Sequence, residues 1–404
     1  MTVLPTVDLT VYPYDCDAFG HLNEAAFLAL FERARWEALA RGPGMDLFKR
    51  NGVWPAVRRA AIEYRAGAFP GDVLRVEMAV ADRGATSFTV RHVAKRVSDG
   101  VLVSEAELLF VCVDRAGRPT PIPEEIARFL GAAPGRASAR EPIRVASGDA
   151  ELAVEVRGEG AAVLFVHGFP LDRTMWRHQV AALGRWKRIA PDLRGVGAST
   201  APAEGYSMTR YADDLVAVLD ALGVRQTAVC GLSMGGYIVF ELLRRHPDRV
   251  KAIILADTRA EADSAEAKRA RDELAALALA QGQDAVAARL LPKLLGRSTH
   301  SAQPEVVGQV REMIRRVSVP GMVGALRAMR DRFDSTETLR AVLVPTLVLV
   351  GSEDQIVTPA AAQAMATRVP GAHFAIIPAA GHLPPLEQPL ATGRVLTDFL
   401  EAVS

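Results

Sequence analysis

The feature that most restricts how this chain can fold is a break in its pattern. Gly131-Ala-Ala-Pro-Gly-Arg-Ala-Ser-Ala-Arg-Glu-Pro142 has no apolar period and is built mainly from small residues, Pro and Arg. Such a stretch reads as an exposed linker. The segments on its two sides follow different patterns, so the chain is expected to build two cores rather than one. Its 404 residues allow this, at ~150 residues per domain as a soft prior.

Before the linker, residues 1–130 spell one strong helix and several strands. Asn23 is a good N-cap, and Phe27, Leu30, Phe31, Ala34 and Ala38 recur at helical spacing until Gly42-Pro43-Gly44 stops the run. Val7–Val11 reads as a first strand, and Ala56–Tyr64, Val73–Ala81, Ser87–Arg96 and Leu102–Val113 follow, separated by turns such as Pro70-Gly71-Asp72 and Ser98-Asp99-Gly100. One long helix with about five antiparallel strands is α+β.

After the linker, residues 143–404 alternate short apolar strands with helices. Ala162–Val166, Thr227–Cys230, Ala252–Ala256 and Thr346–Val350 are apolar runs ending in polar or glycine-rich turns, as buried parallel strands do, and Ala372–Ile377 reads as a further strand. That is an α/β domain. Between about residues 259 and 337 the strands vanish, and Asp263–Gln281 and Glu305–Arg316 carry helical patterns. This region is expected to be a helical insertion before the last two strands.

Composition narrows the function. Lys and Arg number 48 against 47 Asp and Glu, which supplies no basic field for nucleic acid. Three cysteines are too few, and odd, for a disulfide framework, so a reducing, cytoplasmic compartment is expected. Met1 to Tyr14 contains Asp8 and lacks a long apolar run, so no signal peptide is expected. No stretch approaches ~18 uninterrupted apolar residues, so no membrane span is expected.

The chemistry of the second domain centres on Gly231-Leu-Ser233-Met-Gly235-Gly236, which follows a strand and opens the helix Tyr237–Arg245. A sharp strand-to-helix turn lifts a serine hydroxyl clear of the sheet, and flanking glycines let the backbone pass without clash. The N–H of Met234, at the helix N-terminus, can stabilise an oxyanion, and Phe169 in His167-Gly-Phe-Pro170 is expected to supply the second N–H. Asp354 follows one late strand and His382 the next, giving the order Ser, Asp, His. The roles follow: Ser233 nucleophile, His382 base and then acid, Asp354 holding the imidazole. Glu353 beside Asp354, and Asp257 after Ala252–Ala256, are alternative acids. His167 is expected among the substrate-binding residues, as a hydrogen-bonder that shapes the oxyanion loop and not as a base, and Cys230 reads as a buried strand residue.

These motifs resemble the α/β-hydrolase superfamily from Pro142 to Ser404. Asp192-Leu-Arg-Gly195 and Phe169-Pro-Leu-Asp-Arg-Thr-Met-Trp176 look like its small-molecule esterase, enol-lactonase and perhydrolase-like branch. The resemblance implies that the insertion is a cap over the active site. A serine at the elbow departs from dehalogenases and epoxide hydrolases, which carry Asp there.

In the first domain, Tyr14-Asp15-Cys16-Asp17-Ala-Phe-Gly20-His21-Leu-Asn23 leads into the long helix. Helix N–H groups can polarise a carbonyl there, and a carboxylate can attack it or activate water. A thioester suits this arrangement, since its carbonyl is electrophilic and thiolate leaves well. The segment from Tyr14 through Glu32-Arg-Ala-Arg35 looks like the hotdog-fold acyl-CoA thioesterases of the 4-hydroxybenzoyl-CoA thioesterase type. That resemblance makes Asp17 catalytic, places the polarising N–H near Glu24, sets His21 and Asn23 at the substrate, and implies a homodimer or higher homo-oligomer. Glu24 departs from the Asn of many relatives. Arg91, Lys95 and Arg96 are candidates for CoA phosphates, or a solvated strand edge.

Gly158-Glu-Gly160 precedes a strand and is a turn, not a dinucleotide fingerprint. No His-Glu-x-x-His or paired Cys-x-x-Cys points to a metal, and no cofactor is expected. The expected whole is a hotdog domain followed by a capped α/β-hydrolase domain. It would cleave acyl-CoA thioesters in one domain and esters or lactones in the other, touching neither nucleic acid nor membrane. The alternative is a single serine esterase, lactonase or perhydrolase-like enzyme whose first domain only oligomerises.

Overall fold

The computed structural model describes residues 3–42, 46–131 and 142–403. Residues 132–141 of the expected linker, and Pro43-Gly44 of the expected helix stop, lie outside them. The chain divides into two compact units, Met1–Ala139 and Arg140–Ser404.

The first unit runs β1 (Val3–Thr10), α1 (Glu24–Ala40), α2 (Asp46–Arg50), β2 (Trp54–Tyr64), β3 (Val73–Arg83), β4 (Ser87–Arg96), β5 (Leu102–Val113) and α3 (Glu124–Phe129). The strands form an antiparallel sheet in the order β1-β3-β4-β5-β2. Helix α1 starts because the Asn23 side chain accepts the Ala25 N–H at 2.9 Å. Its stripe of Phe27, Leu30, Phe31, Ala34 and Ala38 is buried with Val7, Leu74, Val76 and Leu108 of the sheet. Burial alternates along β4, as expected of a strand with one face on the core.

The second unit begins with an antiparallel hairpin, β6 (Ile143–Ser147) and β7 (Ala150–Arg157), turning at Gly148 with φ 59°. Then come β8 (Ala162–Val166), α4 (Arg177–Ala182), β9 (Lys187–Pro191), α5 (Met208–Ala221), β10 (Thr227–Leu232), α6 (Met234–Arg245) and β11 (Val250–Ala256). Helices α7 (Ala265–Leu294), α8 (Arg297–Ala302), α9 (Pro304–Arg316), α10 (Val319–Arg330) and α11 (Thr336–Arg340) intervene before β12 (Thr346–Gly351). The chain closes with α12 (Pro359–Ala366), β13 (His373–Ile377), α13 (Pro384–Glu387) and α14 (Pro389–Ala402). Helix α7 is broken at Gly282, which takes φ 73°.

The sheet order is β13-β12-β11-β10-β8-β9-β7-β6. From β9 to β13 neighbouring strands are parallel, whereas β7 pairs antiparallel with both β6 and β9. The central strands read as unbroken apolar runs because both faces are covered: β10 and β12 are buried at every position. Topology then fixes where a ligand can sit. The chain passes from β8 to β9 on one side and returns to β10 on the other, so the order reverses at β8. The crevice beyond the carboxyl ends of β8 and β10 is the switch point where open α/β sheets bind ligands.

Candidate active sites

Ser233 lies at that switch point, between the end of β10 and the first residue of α6. Its backbone takes φ 53°, ψ −112°, a conformation L-residues avoid. Hydrogen bonds hold it there: its N–H donates to Ala256 O at 2.9 Å, and its carbonyl accepts from Gly236 N at 2.9 Å and Thr258 Oγ1 at 2.8 Å. Glycine is required around it. A Cβ on Gly235 would collide with the carbonyls of Val166 and His167, and one on Gly236 with Thr258. As the first residue of α6, Met234 carries an N–H with no intrahelical acceptor.

The loop after β8 runs against this turn. A Cβ on Gly168 would come within 2.9 Å of the Leu232 side chain and 3.4 Å of Ser233 Cβ, so the Gly168-Phe169 backbone skirts Ser233. His167, fully buried, shapes the loop: Nδ1 donates to Gly168 O and Nε2 accepts from Leu193 N, each at 3.0 Å. Burial holds its pKa below the usual imidazole value. Both ring nitrogens are spent on backbone, which leaves none for a substrate. This corrects the expectation of His167 as a substrate-binding group and leaves it the loop-shaping role. Asp192 ties the loop further, accepting from Arg173 N at 2.9 Å and Ala198 N at 2.8 Å.

Asp354 and His382 are both buried, at 4% and 1% exposure, and are joined by His382 Nδ1 to Asp354 Oδ2 at 2.7 Å. The other Asp354 oxygen accepts the N–H groups of Ile356 at 2.7 Å and Val357 at 3.1 Å. Asp257 sits beside them, with donor atoms of Asp257, Asp354 and His382 all within 4.8 Å of one another. Burial, and next the charge of Asp354, hold the Asp257 carboxyl well above the usual carboxylate range. A trio of this type can also take a metal ion. Here the Asp354 oxygens and Asp257 Oδ1 already accept hydrogen bonds from the protein.

Glu353, the neighbouring acid, has a different task. It accepts from Ser298 N at 2.8 Å and Ser298 Oγ at 2.5 Å, so it fastens α8 of the helical insertion to the Asp354 loop. Glu387, fully buried, does the same for the His382 loop. It accepts from Gly296 N at 2.7 Å, Thr299 Oγ1 at 2.6 Å and Leu383 N at 2.9 Å. Sequence reasoning missed Glu387; the available signal was a lone acid in the apolar run His382-Leu-Pro-Pro-Leu-Glu387. Cys230 is buried in β10, and burial pushes its thiol pKa up, against nucleophilic use.

In the first unit, Asp17 lies in a tight turn before α1. Its Oδ1 accepts from Phe19 N at 2.8 Å and His21 N at 3.1 Å, while its own N–H donates to His21 O at 2.8 Å. Oδ2 has no partner among the described residues. Asn23 spends its side-chain oxygen on capping α1, and Glu24 is the helix's first residue, its carbonyl accepting from Tyr64 Oη at 3.2 Å. His21 is exposed and packs against Phe69 at 5.1 Å between ring centroids. The candidate phosphate-binding cations are paired: Arg91 with Glu105 at 2.7 Å, Lys95 with Glu77 at 3.1 Å and Arg96 with Asp99 at 2.9 Å. They lie on β4, which is paired on both sides, so they belong to a charged sheet face and not to the strand edge the sequence suggested.

A cavity of about 80 Å³ between α1 and the sheet is lined by Arg35, Trp36, Leu39, Phe88, Phe110 and Phe129 among others. Its wall on α1 starts at Glu32, eight residues past Glu24 and so about 12 Å along the axis. Arg35 stacks over Phe110 at 5.0 Å and lies 3.3 Å from His92 Nε2. Burial draws Arg35 down to about 10; burial, and next the Arg35 charge, draw His92 down to about 3. His92 is therefore neutral and accepts from Arg35.

Residues 161–389 match the family model described as alpha/beta hydrolase fold, and residues 11–130 match that of the thioesterase-like superfamily. The chain is 28% identical over 231 residues to 3-oxoadipate enol-lactonase 2 of Acinetobacter baylyi, covering 57% of this chain and 85% of that protein. A thermophilic esterase from Thermogutta terrifontis superposes with a TM-score of 0.63 at 40% identity, covering 65% of this chain and 99% of that one. The enol-lactonase from Burkholderia xenovorans superposes with a TM-score of 0.60 at 28% identity, covering 64% and 100%.

Proposed function

The chain belongs to the α/β-hydrolase family, and on that premise we propose that its larger unit hydrolyses a carboxylic ester or lactone through an acyl-Ser233 intermediate. The observation that carries this reading is the strained Ser233 elbow at the switch point, in a unit that also buries a His382–Asp354 pair at 2.7 Å. Ser233 Oγ attacks the acyl carbon while His382 takes its proton. The Met234 and Phe169 N–H groups hold the oxyanion, and His382 then protonates the leaving alkoxide. Water repeats the sequence, with His382 as base, and frees the acid. Asp354 keeps the imidazole proton on Nδ1 throughout. The likeness to esterases and enol-lactonases supports small esters and lactones as the substrate class.

The smaller unit we read as a hotdog fold that hydrolyses an acyl-CoA thioester and assembles the chain into a homodimer or higher homo-oligomer. Asp17 is the nucleophile or general base. The match of residues 11–130 to the thioesterase-like superfamily and an Asp17 Oδ2 with no partner among the described residues support this reading. The α1 N–H near Glu24 polarises the thioester carbonyl.

The test is one experiment with two substrate panels, acyl-CoAs and simple esters or lactones, run on wild type, Asp17→Asn and Ser233→Ala. Each substitution is expected to abolish one panel and spare the other. If Asp17→Asn changes neither, only the serine site works and the smaller unit serves assembly. If Ser233→Ala keeps ester turnover, the acyl-Ser233 mechanism is wrong.

A further inference from the structure

Asp257 is a buried acid that the mechanism above does not use. It follows β11 directly with φ 47°, and its N–H donates to Leu349 O of β12 at 3.0 Å. Its Oδ1 accepts the Gly351 N–H at 2.9 Å, while its Oδ2 is buried without a hydrogen-bond partner. The ionisable groups around it are Asp354 on the loop after β12, His382 on the loop after β13 and Glu387 on α13. Among the described residues no Lys or Arg pairs with it.

Two carboxylates in one dry site cannot both ionise cheaply, so one proton is retained. Donor supply decides which acid keeps it. Asp354 accepts from Ile356 N, Val357 N and His382 Nδ1, whereas Asp257 accepts from Gly351 N alone. Negative charge is better solvated on Asp354. A proton on Asp257 also turns its orphaned Oδ2 from an unsatisfied acceptor into an O–H donor, with Asp354 at hand to accept.

We propose that Asp257 is a positioning residue that stays a neutral acid and donates a hydrogen bond to Asp354, holding that carboxylate against His382. This rests on the proposed Ser233, Asp354, His382 mechanism. The bond orients Asp354 and draws off part of its charge. Losing it leaves Asp354 more basic and His382 easier to protonate.

The experiment uses the full chain and the ester panel, with kcat, KM and the pH profile of kcat/KM for Asp257→Asn, Asp257→Ala, Asp354→Asn and Ser233→Ala. A carboxamide copies the neutral acid: its NH2 donates to Asp354 and its oxygen accepts from Gly351. Asp257→Asn is expected to stay within about threefold of wild type, while Asp354→Asn falls by about 10⁴-fold. Asp257→Ala is expected to lower kcat at least tenfold at similar KM and move the acid limb of kcat/KM to higher pH. A loss beyond tenfold in Asp257→Asn overturns the proposal, because it would make Asp257 the charged acid. An Asp257→Ala protein with wild-type kcat and pH profile overturns it as well. Should Asp257→Ala fail to fold, the contrast between the two Asn variants decides alone. Ser233→Ala separates the two levels. Full ester activity there removes the serine mechanism itself; with that activity lost, the Asp257 variants decide the role of Asp257.

Discussion

Ser233 is held in a backbone conformation that only its surroundings make tolerable. Three backbone and side-chain hydrogen bonds offset the strain, and the result is a side chain projecting from the sheet rather than lying on it. On the proposed mechanism Ser233→Ala should cut ester turnover by at least about 10³-fold and leave thermal unfolding unchanged, as steady-state kinetics and calorimetry would show. Glu387 shows the opposite division of labour. Its carboxylate satisfies Gly296 N, Thr299 Oγ1 and Leu383 N in the interior. Glu387→Ala leaves all three without their acceptor, and should cost about 2–4 kcal/mol in urea unfolding. If it costs under about 1 kcal/mol, the insertion is not fastened to the His382 loop in this way.

At the scale of elements, the site depends on how closely α6 starts behind β8. Gly235 makes that approach possible, since any Cβ there would strike backbone carbonyls that cannot move aside. Gly235→Val should abolish both the folded yield of the larger unit and its ester activity, measured by circular dichroism and turnover. Gly308 on the exposed side of α9 is the control. Nothing lies within 4 Å of a Cβ placed there. Gly308→Ala should therefore stabilise the protein by roughly 0.5–1 kcal/mol through helix propensity alone, and a loss of stability would contradict the helix described. The insertion is more than a loose cover. Besides Glu353 and Glu387, Arg316 of α9 pairs with Asp172, in the loop after β8, at 2.6 Å.

For the whole molecule, each unit buries a histidine whose pKa burial holds below the usual imidazole value, so both should lose stability in acid. The first buries His92 neutral, with its pKa drawn to about 3 from an ordinary 6.5. The folded value lies below the unfolded one, so as pH falls through 6.5 the unfolded chain takes up a proton that the folded unit refuses. Stability is then lost by up to about 1.4 kcal/mol per pH unit until pH nears 3. The first unit's unfolding transition should move down on acidification, and His92→Gln should flatten that dependence, as chemical denaturation between pH 7 and 4 would reveal. An unchanged slope in His92→Gln would show that other groups govern it. Among the described residues, no helix is long and apolar enough to cross a membrane.

Much of this was legible in one dimension, because local physics writes local patterns. Strands β4, β5 and β8 begin and end where their apolar runs do, and Asn23 caps α1 as its side chain dictates. Ser233 was readable because a tight turn demands glycines at fixed offsets, and Asp354 and His382 because each follows a late strand, although of the two only β12 is buried throughout and β13 is the sheet edge. The sequence favoured Asp354 by its place in the order Ser, Asp, His, but left Asp257 and Glu353 as alternatives, because the three differ mainly in what surrounds them after folding. The sheet brings the ends of β11, β12 and β13 side by side. Asp354 then meets His382, Glu353 is drawn away to Ser298, and Asp257 is left buried with one unpartnered oxygen. His167 likewise became a loop brace only when β9 brought the Leu193 N–H to its ring. Spacing along the chain sets which side chains exist at each strand end. Which of them share a proton is decided by distances and burial that arise only when the strands pack.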